Sequence, residues 1–245
     1  MSPFNSHLKQ GAQTQIITAS CPSLPGTVDV VTGYLYQHGF YITEIHSFDD
    51  TDKEQFFIRI EFRPDSEAEF DRQSFTTGFA PRAEKFSMEW QLSPKSYKPK
   101  VVIMVSKQDH CLNDLLYRWR IGSLEVDIQA IISNHPDCKD LATWHNIPYY
   151  HFPITSDTKA QQEAQIWQIV QQFDTDLVVL ARYMQILSNG MRQKLAGWAI
   201  NIHHSLLPGF KGAKPYHQAY EKGIKLVGAT AHYVSDQLDE GPIIS

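Results

Sequence analysis

The chain has only three cysteines in 245 residues: Cys21, Cys111 and Cys138. They are widely spaced, odd in number and form no CxxC pair. That argues against a disulfide framework and against a cysteine-based zinc site, and it fits a reducing cytoplasm. No apolar run approaches the roughly 18 residues of a membrane span. The opening "MSPFNSHLKQGAQTQ" is polar and lacks the apolar stretch of a secretory signal. No run rich in lysine or arginine occurs, and the formal net charge is -5, so no nucleic-acid footprint is expected. No serine stands in a GxSxG turn, which leaves a covalent acyl intermediate without support.

What is present is enough for two cores. Hydrophobic residues make up 42% of the chain, and 245 residues suit two domains better than one. Residues 1–13 read as a flexible tail. From 14 to 93 the pattern is β-α-β-β-α-β, a ferredoxin-like split unit. "TQIITASC" reads as a strand, and "SLPGTVDVVTGYLYQHG" as a helix opened by Pro25-Gly26. That helix has Val28, Val31 and Leu35 on one face and Gly39 as its stop. "FYITEIHSFDD" and "QFFIRIEF" alternate as a hairpin. "DSEAEFDRQSFTTGFA" reads as a second helix beginning at Asp/Ser caps, and "KFSMEWQL" as the last strand. Residues 94–99 fall in a linker of prolines and lysines.

From residue 100 to 245 strands alternate with helices, beginning with the near-continuous apolar strand "KVVIMVS". Such alternation predicts a doubly wound, mostly parallel α/β sheet. In that architecture chemistry gathers at the carboxyl ends of the strands. "AINIHH" is a strand that delivers Asn201 and His203 to such an end. Residues two apart share a face, so both can meet one cleft while Ile202 turns to the core and His204 points elsewhere. Asp239 follows in the turn-prone loop "SDQLDEGP". An imidazole that can take and give a proton, a carboxylate that holds it and an amide donor for an oxyanion make an acid–base set for attack at a carbonyl carbon. A positioned water is the natural nucleophile. A histidine in a strand and an aspartate in a Gly/Pro loop are also common structural residues, and spacing alone leaves both readings open.

"NIHHSLLPGFKGAKPYHQAYEKG" followed by "GATAHYVSDQLDEGP" resembles the formyl transferase catalytic domain, whose hallmark is Asn-x-His at a strand end and an aspartate in an LDxGP loop. Within that superfamily the resemblance is to formyltetrahydrofolate deformylases. It extends in order through "SCPSLPGTVDVVTGYLYQHG", "CLNDLLYRWRIGSL", "ISNHPD", "IPYYHFPIT" and "LARYMQILS", from about Thr14 onward. It implies hydrolysis of 10-formyltetrahydrofolate to tetrahydrofolate and formate, which feeds purine synthesis and balances the one-carbon folate pools. It carries the catalytic roles to Asn201, His203 and Asp239. Arg182, Met184, Gln185, Ile186 and Leu187 are carried to the pterin pocket, with His232 orienting Asp239 or serving structurally. No metal or redox cofactor is implied. The first domain is similar to an ACT domain. Leu24, Pro25 and Gly26 stand where such modules hold an amino-acid effector, here glycine or methionine, and such domains imply a homo-oligomer. The resemblance also implies that the chain stops some tens of residues early, so the second domain is expected to be incomplete at its C-terminus.

Transfer to glycinamide ribonucleotide is the alternative within the same superfamily. A phosphate-bearing acceptor would need backbone N–H groups from a glycine-rich loop after the first strand of the second domain. The segment there, "VSKQDHCLNDL", Val105 to Leu115, has no glycine, although Lys107 could touch an anion. Without an amine acceptor, water remains. A catalytically impaired folate-binding or regulatory protein is the third reading.

Overall fold

The computed structural model describes residues 14–65, 69–209, 215–226 and 228–244. The expected tail and most of the "FKGAKP" stretch lie outside the described residues. The chain divides into two compact units, 1–97 and 98–245.

The first unit runs β1 (Gln15–Pro22), α1 (Thr27–Gln37), β2 (Phe40–Asp50), β3 (Gln55–Pro64), α2 (Arg72–Lys85) and β4 (Glu89–Pro94). Its strands form one sheet in the order β2-β3-β1-β4, antiparallel throughout. Alternation in β1 sends Ile17, Ala19 and Cys21 inward, and β3 adds Ile58, Ile60 and Phe62. Val31, Tyr34 and Leu35 of α1 and Phe75, Phe79 and Ala83 of α2 close over them. Burying each large apolar side chain contributes about 1.5–3 kcal/mol. Gly26 caps α1 at φ 91, a backbone state that glycine alone adopts without strain.

Two expectations are corrected here. Val28 is 41% exposed, because the buried stripe of α1 runs through Thr27, Val31, Tyr34 and Leu35 instead. The second helix begins at Arg72 rather than near Asp65, and it continues past Ala80 to Lys85. Asp71 is the cap that wins: its Oδ1 accepts from the backbone N–H groups of Gln73 (2.9 Å) and Ser74 (3.1 Å). The hydrogen bond from the Ser74 hydroxyl leads the effects that hold the Asp71 carboxyl below its usual range. Pro81 lies inside the helix, which continues because Phe79 and Ala83 on either side of it are fully withdrawn into the core.

The second unit runs β5 (Lys100–Val105), α3 (His110–Arg120), β6 (Asp127–Ser133), α4 (Lys139–Trp144), β7 (Tyr149–His151), α5 (Lys159–Gln172), β8 (Leu177–Leu180), α6 (Asn189–Leu195), β9 (Ala199–His203), α7 (Pro215–Glu221) and β10 (Thr230–Tyr233). The six strands lie in the order β10-β9-β8-β5-β6-β7. All neighbours are parallel except β10, which runs against β9. Val102 and Met104 of β5 pack with Ile166, Ile169 and Val170 of α5 on one face. Val101, Ile103 and Val105 pack with Leu112 and Leu116 of α3 on the other. With both faces covered, the strands must be apolar on both sides, which is why β5 shows no alternation. The order reverses between β5 and β8, and the carboxyl ends of these strands open a crevice there. No described helix is long and apolar enough to cross a membrane.

Candidate active site

A cavity of about 270 Å3 lies over the carboxyl ends of β8 and β9. Three pieces of chain form most of its wall, with Arg192 of α6 beside them: residues 182–187 after β8, residues 201–204 at the end of β9, and His232 with the loop through Asp239. All five residues carried to the pterin pocket, His232 and the three proposed for catalysis therefore line one space.

Its floor is set by strand register. In the β9–β10 pair His232 stands opposite Asn201, and Thr230 opposite His203. Directly opposed side chains share a face, and Asn201 Nδ2 is 3.1 Å from His232 Nε2. His232 Nδ1 is 2.9 Å from the carbonyl oxygen of Tyr233, which can only accept. The proton of the neutral ring is therefore on Nδ1, and Nε2 accepts from the Asn201 amide. This fixes which way the Asn201 amide faces where it lines the cavity. Thr230 secures the turn that follows β9. Its hydroxyl donates to Ser205 O (2.7 Å) and accepts from Leu207 N–H (3.0 Å).

Asp239 closes the set. Its Oδ1 is 3.5 Å from His203 Nδ1 and 3.8 Å from His232 Nε2, with the side chains of His203 and Asp239 only 5% and 7% exposed. Both side chains are withdrawn from bulk solvent while lining the cavity. Asp239 has φ 55 and Arg182 has φ 64, a left-handed state that is costly for residues with a Cβ. Strain of this kind persists where the surroundings over-determine it, and two instances face this one cavity.

The loop that carries Asp239 is held tightly to β10. Tyr233 N–H donates to Pro242 O (2.9 Å), and Ile244 N–H to Ala231 O (2.7 Å). Gly241 passes so close that a Cβ there would stand 1.6 Å from the Tyr233 carbonyl oxygen. Only glycine permits that approach.

The 182–187 segment is pinned at both ends. Ser106, at the end of β5, accepts from Met184 N–H (2.9 Å) and donates to Asn134 Oδ1 (2.7 Å). Ser188 N–H donates to buried Glu163 of α5 (2.7 Å), and the Ser188 hydroxyl bonds the same carboxylate. In this segment Tyr183 and Leu187 are buried, while Met184 and Ile186 are more than half exposed. Burial, with the nearby Glu163 charge adding, pushes the Tyr183 phenol up to about 12, so it stays neutral.

His204 is a correction. It lines the same cavity rather than pointing away, and its ring centroid is 5.4 Å from that of His203. β9 ends at His203, so period-two alternation no longer governs the next residue. Burial first, then the positive Arg182, lowers the His204 pKa. Ser106, Asn134, Tyr183 and Gly241 were not singled out from the sequence as site residues. Gly241 alone carried a signal, as the glycine directly after the acidic pair Asp239-Glu240.

In the first unit, Leu24 is 49% exposed in the turn before α1, and Thr27 Oγ1 donates to its carbonyl (3.0 Å). A broad depression of about 590 Å3 lies elsewhere in that unit, across the outer sheet face at Phe48, Phe57 and Gln91, and does not include Leu24, Pro25 or Gly26. It holds no acid–base set comparable to the one around His203. Among the described residues no group of three or more His, Cys, Asp or Glu is placed to hold a metal ion.

Residues 99–245 match the family model described as formyl transferase. A formyltetrahydrofolate deformylase of Corynebacterium sp. (strain P-1) is 48% identical over 230 residues, covering 94% of this chain and 80% of that relative. The crystal structure of a formyltetrahydrofolate deformylase from Pseudomonas putida KT2440 is 58% identical, with a TM-score of 0.86 over 94% of this chain and 82% of its own. A phosphoribosylglycinamide formyltransferase from Anaplasma phagocytophilum is 33% identical with a TM-score of 0.54, and that match covers only 60% of this chain and 70% of the other. The first two matches extend across nearly the whole chain, which the transferase does not. This chain belongs to the formyltetrahydrofolate deformylase family.

Proposed function

We infer that this protein hydrolyses 10-formyltetrahydrofolate to tetrahydrofolate and formate. The observation that carries the reading is the convergence of Asn201, His203 and Asp239 on one cavity over the strand ends, with the buried His203–Asp239 pair 3.5 Å apart. The pterin lies against residues 182–187, where the exposed backbone and the apolar Met184, Ile186 and Leu187 suit a flat, hydrogen-bonding ring.

The formyl oxygen accepts hydrogen bonds from Asn201 and His203, which draw electrons from the formyl carbon. Asp239, paired with His203, orients a water and takes its proton as oxygen attacks. The tetrahedral oxyanion is held by Asn201 and by protonated His203. His232 acts on this step through Asn201, whose amide it orients. Return of a proton to N10 breaks the C–N bond and releases tetrahydrofolate, while formic acid ionises to formate. The folate is substrate, and the reading calls for no resident cofactor.

Hydrolysis is favoured over transfer by the start of α3. The residue preceding this helix is Asp109, and the segment from Val105 has no glycine. A carboxylate there disfavours an acceptor's phosphate. The first unit, with its β-α-β-β-α-β order, is read as an ACT-like domain. Its Leu24–Gly26 turn is the effector position for glycine or methionine, and pairing of such units gives a homo-oligomer. The formate serves purine synthesis. Work in a reducing cytoplasm goes with the three scattered cysteines of the sequence.

The test is formate release from 10-formyltetrahydrofolate with no amine present. Release supports hydrolysis, and turnover that needs phosphoribosylglycinamide supports transfer. Folate binding without turnover supports an inactive binder. Asp239→Asn is expected to lower turnover by about 10²–10⁴-fold while folate still binds, and unchanged turnover refutes the role given to Asp239.

A further inference from the structure

Arg182 lies in the segment read as the pterin wall, and its side chain carries features beyond that contact. It follows β8 directly, and its guanidinium crosses to the loop between β5 and α3, where Nε (3.1 Å) and Nη2 both donate to Gln108 Oε1. β5 and β8 are the adjacent strands at which the sheet order reverses. The crevice outside their carboxyl ends is where open α/β sheets lodge ligands. The guanidinium therefore spans that crevice. It does so from a backbone at φ 64, a state suited to glycine, and its Nη1 is buried with no hydrogen-bond partner among the described residues. Arg182 also lines the cavity that holds Asn201, His203 and Asp239.

A second substrate delivering an amine must approach the formyl carbon alongside the folate, which already lies against residues 182–187. The bridge stands on the β5 side of that segment, joining it to the loop before α3. We propose that the Arg182–Gln108 bridge is the element that excludes amine acceptors, so that water alone reaches the formyl carbon. It sets the reaction's specificity, and strained backbone at Arg182 is the cost of placing a long side chain there.

The two outcomes differ only in the nucleophile. In hydrolysis a water oxygen pair forms the new bond to carbon, the C–N10 pair returns to nitrogen with a proton, and the products are tetrahydrofolate, formate and one released proton. In transfer an amine nitrogen pair forms the bond, the amine loses a proton, N10 gains one, and the products are a formamide and tetrahydrofolate.

The proposal rests on the hydrolytic reading, which formate release by the parent chain tests separately. The experiment supplies 10-formyltetrahydrofolate with phosphoribosylglycinamide, or with glycinamide as a smaller acceptor. It measures formamide product against formate for the parent, Arg182→Gly and Gln108→Ala. Arg182→Gly removes the bridge and suits the backbone φ. It is expected to raise the ratio of transfer to hydrolysis by about tenfold or more. Gln108→Ala, which frees the guanidinium without touching the strained residue, shifts the ratio in the same direction by less. An unchanged ratio in both variants overturns the proposal. So does a folded Arg182→Gly chain that still binds folate yet forms neither product, because the guanidinium would then serve the reaction itself. If Arg182→Gly does not fold, Gln108→Ala decides alone.

Discussion

Gly241→Ala removes no hydrogen bond and adds one methyl group, yet it is expected to disable the site. The new Cβ would stand 1.6 Å from the Tyr233 carbonyl oxygen and 2.7 Å from its carbon. A carbon–oxygen contact normally settles near about 3.3 Å, so the two strands of backbone must separate by about 1.7 Å. Neither neighbour is a side chain that could swing aside. The Tyr233–Pro242 hydrogen bond of 2.9 Å resists the separation on the spot. Strain therefore passes into the loop, two residues from Asp239. Asp239 is only 3.5 Å from His203, and a shift of this size takes it out of reach. Misplacing a reacting group by about 1 Å costs about 10²-fold in rate, so kcat/KM for formate release is expected to fall by at least that much, equal to about 2.7 kcal/mol of barrier. The parallel sheet has no contact with the new methyl, so far-UV circular dichroism is expected to be unchanged. The assay is steady-state formate release, with circular dichroism on the same sample. Activity within about threefold of the parent would refute the reasoning, because the loop would then place Asp239 without the close approach.

Ser106→Ala orphans the Met184 N–H and the Asn134 Oδ1, both pinned by the same hydroxyl. Each orphaned buried group costs about 1–3 kcal/mol, so urea unfolding shifts to lower midpoint and the KM for folate rises more than kcat falls, with Ser106→Thr restoring the KM. Burial alone would raise the pKa of Glu61, but hydrogen bonds from Lys95 and Arg59 outweigh it and hold the carboxyl below its ordinary 4.5. Its contribution is complete above that value and is lost as pH falls through the lower folded value. Glu61→Gln is therefore expected to flatten the acid limb of a stability profile below about pH 4.5. His204 is shifted down from 6.5, so the unfolded chain takes up a proton that the folded chain resists. Stability due to this group is present above about pH 6.5 and is lost as pH falls. His204→Gln narrows the difference between urea midpoints measured at about pH 7.5 and about pH 5.5, and an unaltered difference counts against the burial of that ring.

Much of the fold is written in local pattern. The apolar runs of β5 and β8 announce strands covered on both faces, and the spacing of Leu112 and Leu116 announces the inner side of α3. The strand-end position of Asn201 and His203 follows from alternation, which extends only as far as the strand. His204 lies one residue beyond it, and simple alternation misplaces it. The pins of the 182–187 segment were not legible for a different reason. Ser106 and Asn134 are 28 residues apart, and Gln108 and Arg182 are 74 apart. Nothing in either neighbourhood marks one as the partner of the other. The start of α2 was ambiguous because "DSEAEFD" offers several capping residues, and packing of Phe75 and Phe79 selects Asp71.

The reversed strand β10 has an energetic consequence. Its partner after the turn is its own continuation, through the His232–Ile243 bridge and the Tyr233–Pro242 hydrogen bond. Asp239 thus belongs to a short hairpin closed by local contacts, while Asn201 and His203 belong to the cooperative parallel sheet. Opening that hairpin costs far less than unfolding the sheet. The protein can therefore keep an intact core while the loop that carries Asp239, one wall of the cavity, is withdrawn. Backbone amides of residues 233–244 should exchange hydrogen well ahead of those in β5 and β8, and the rate of that opening bounds how fast the chemistry can be switched on and off.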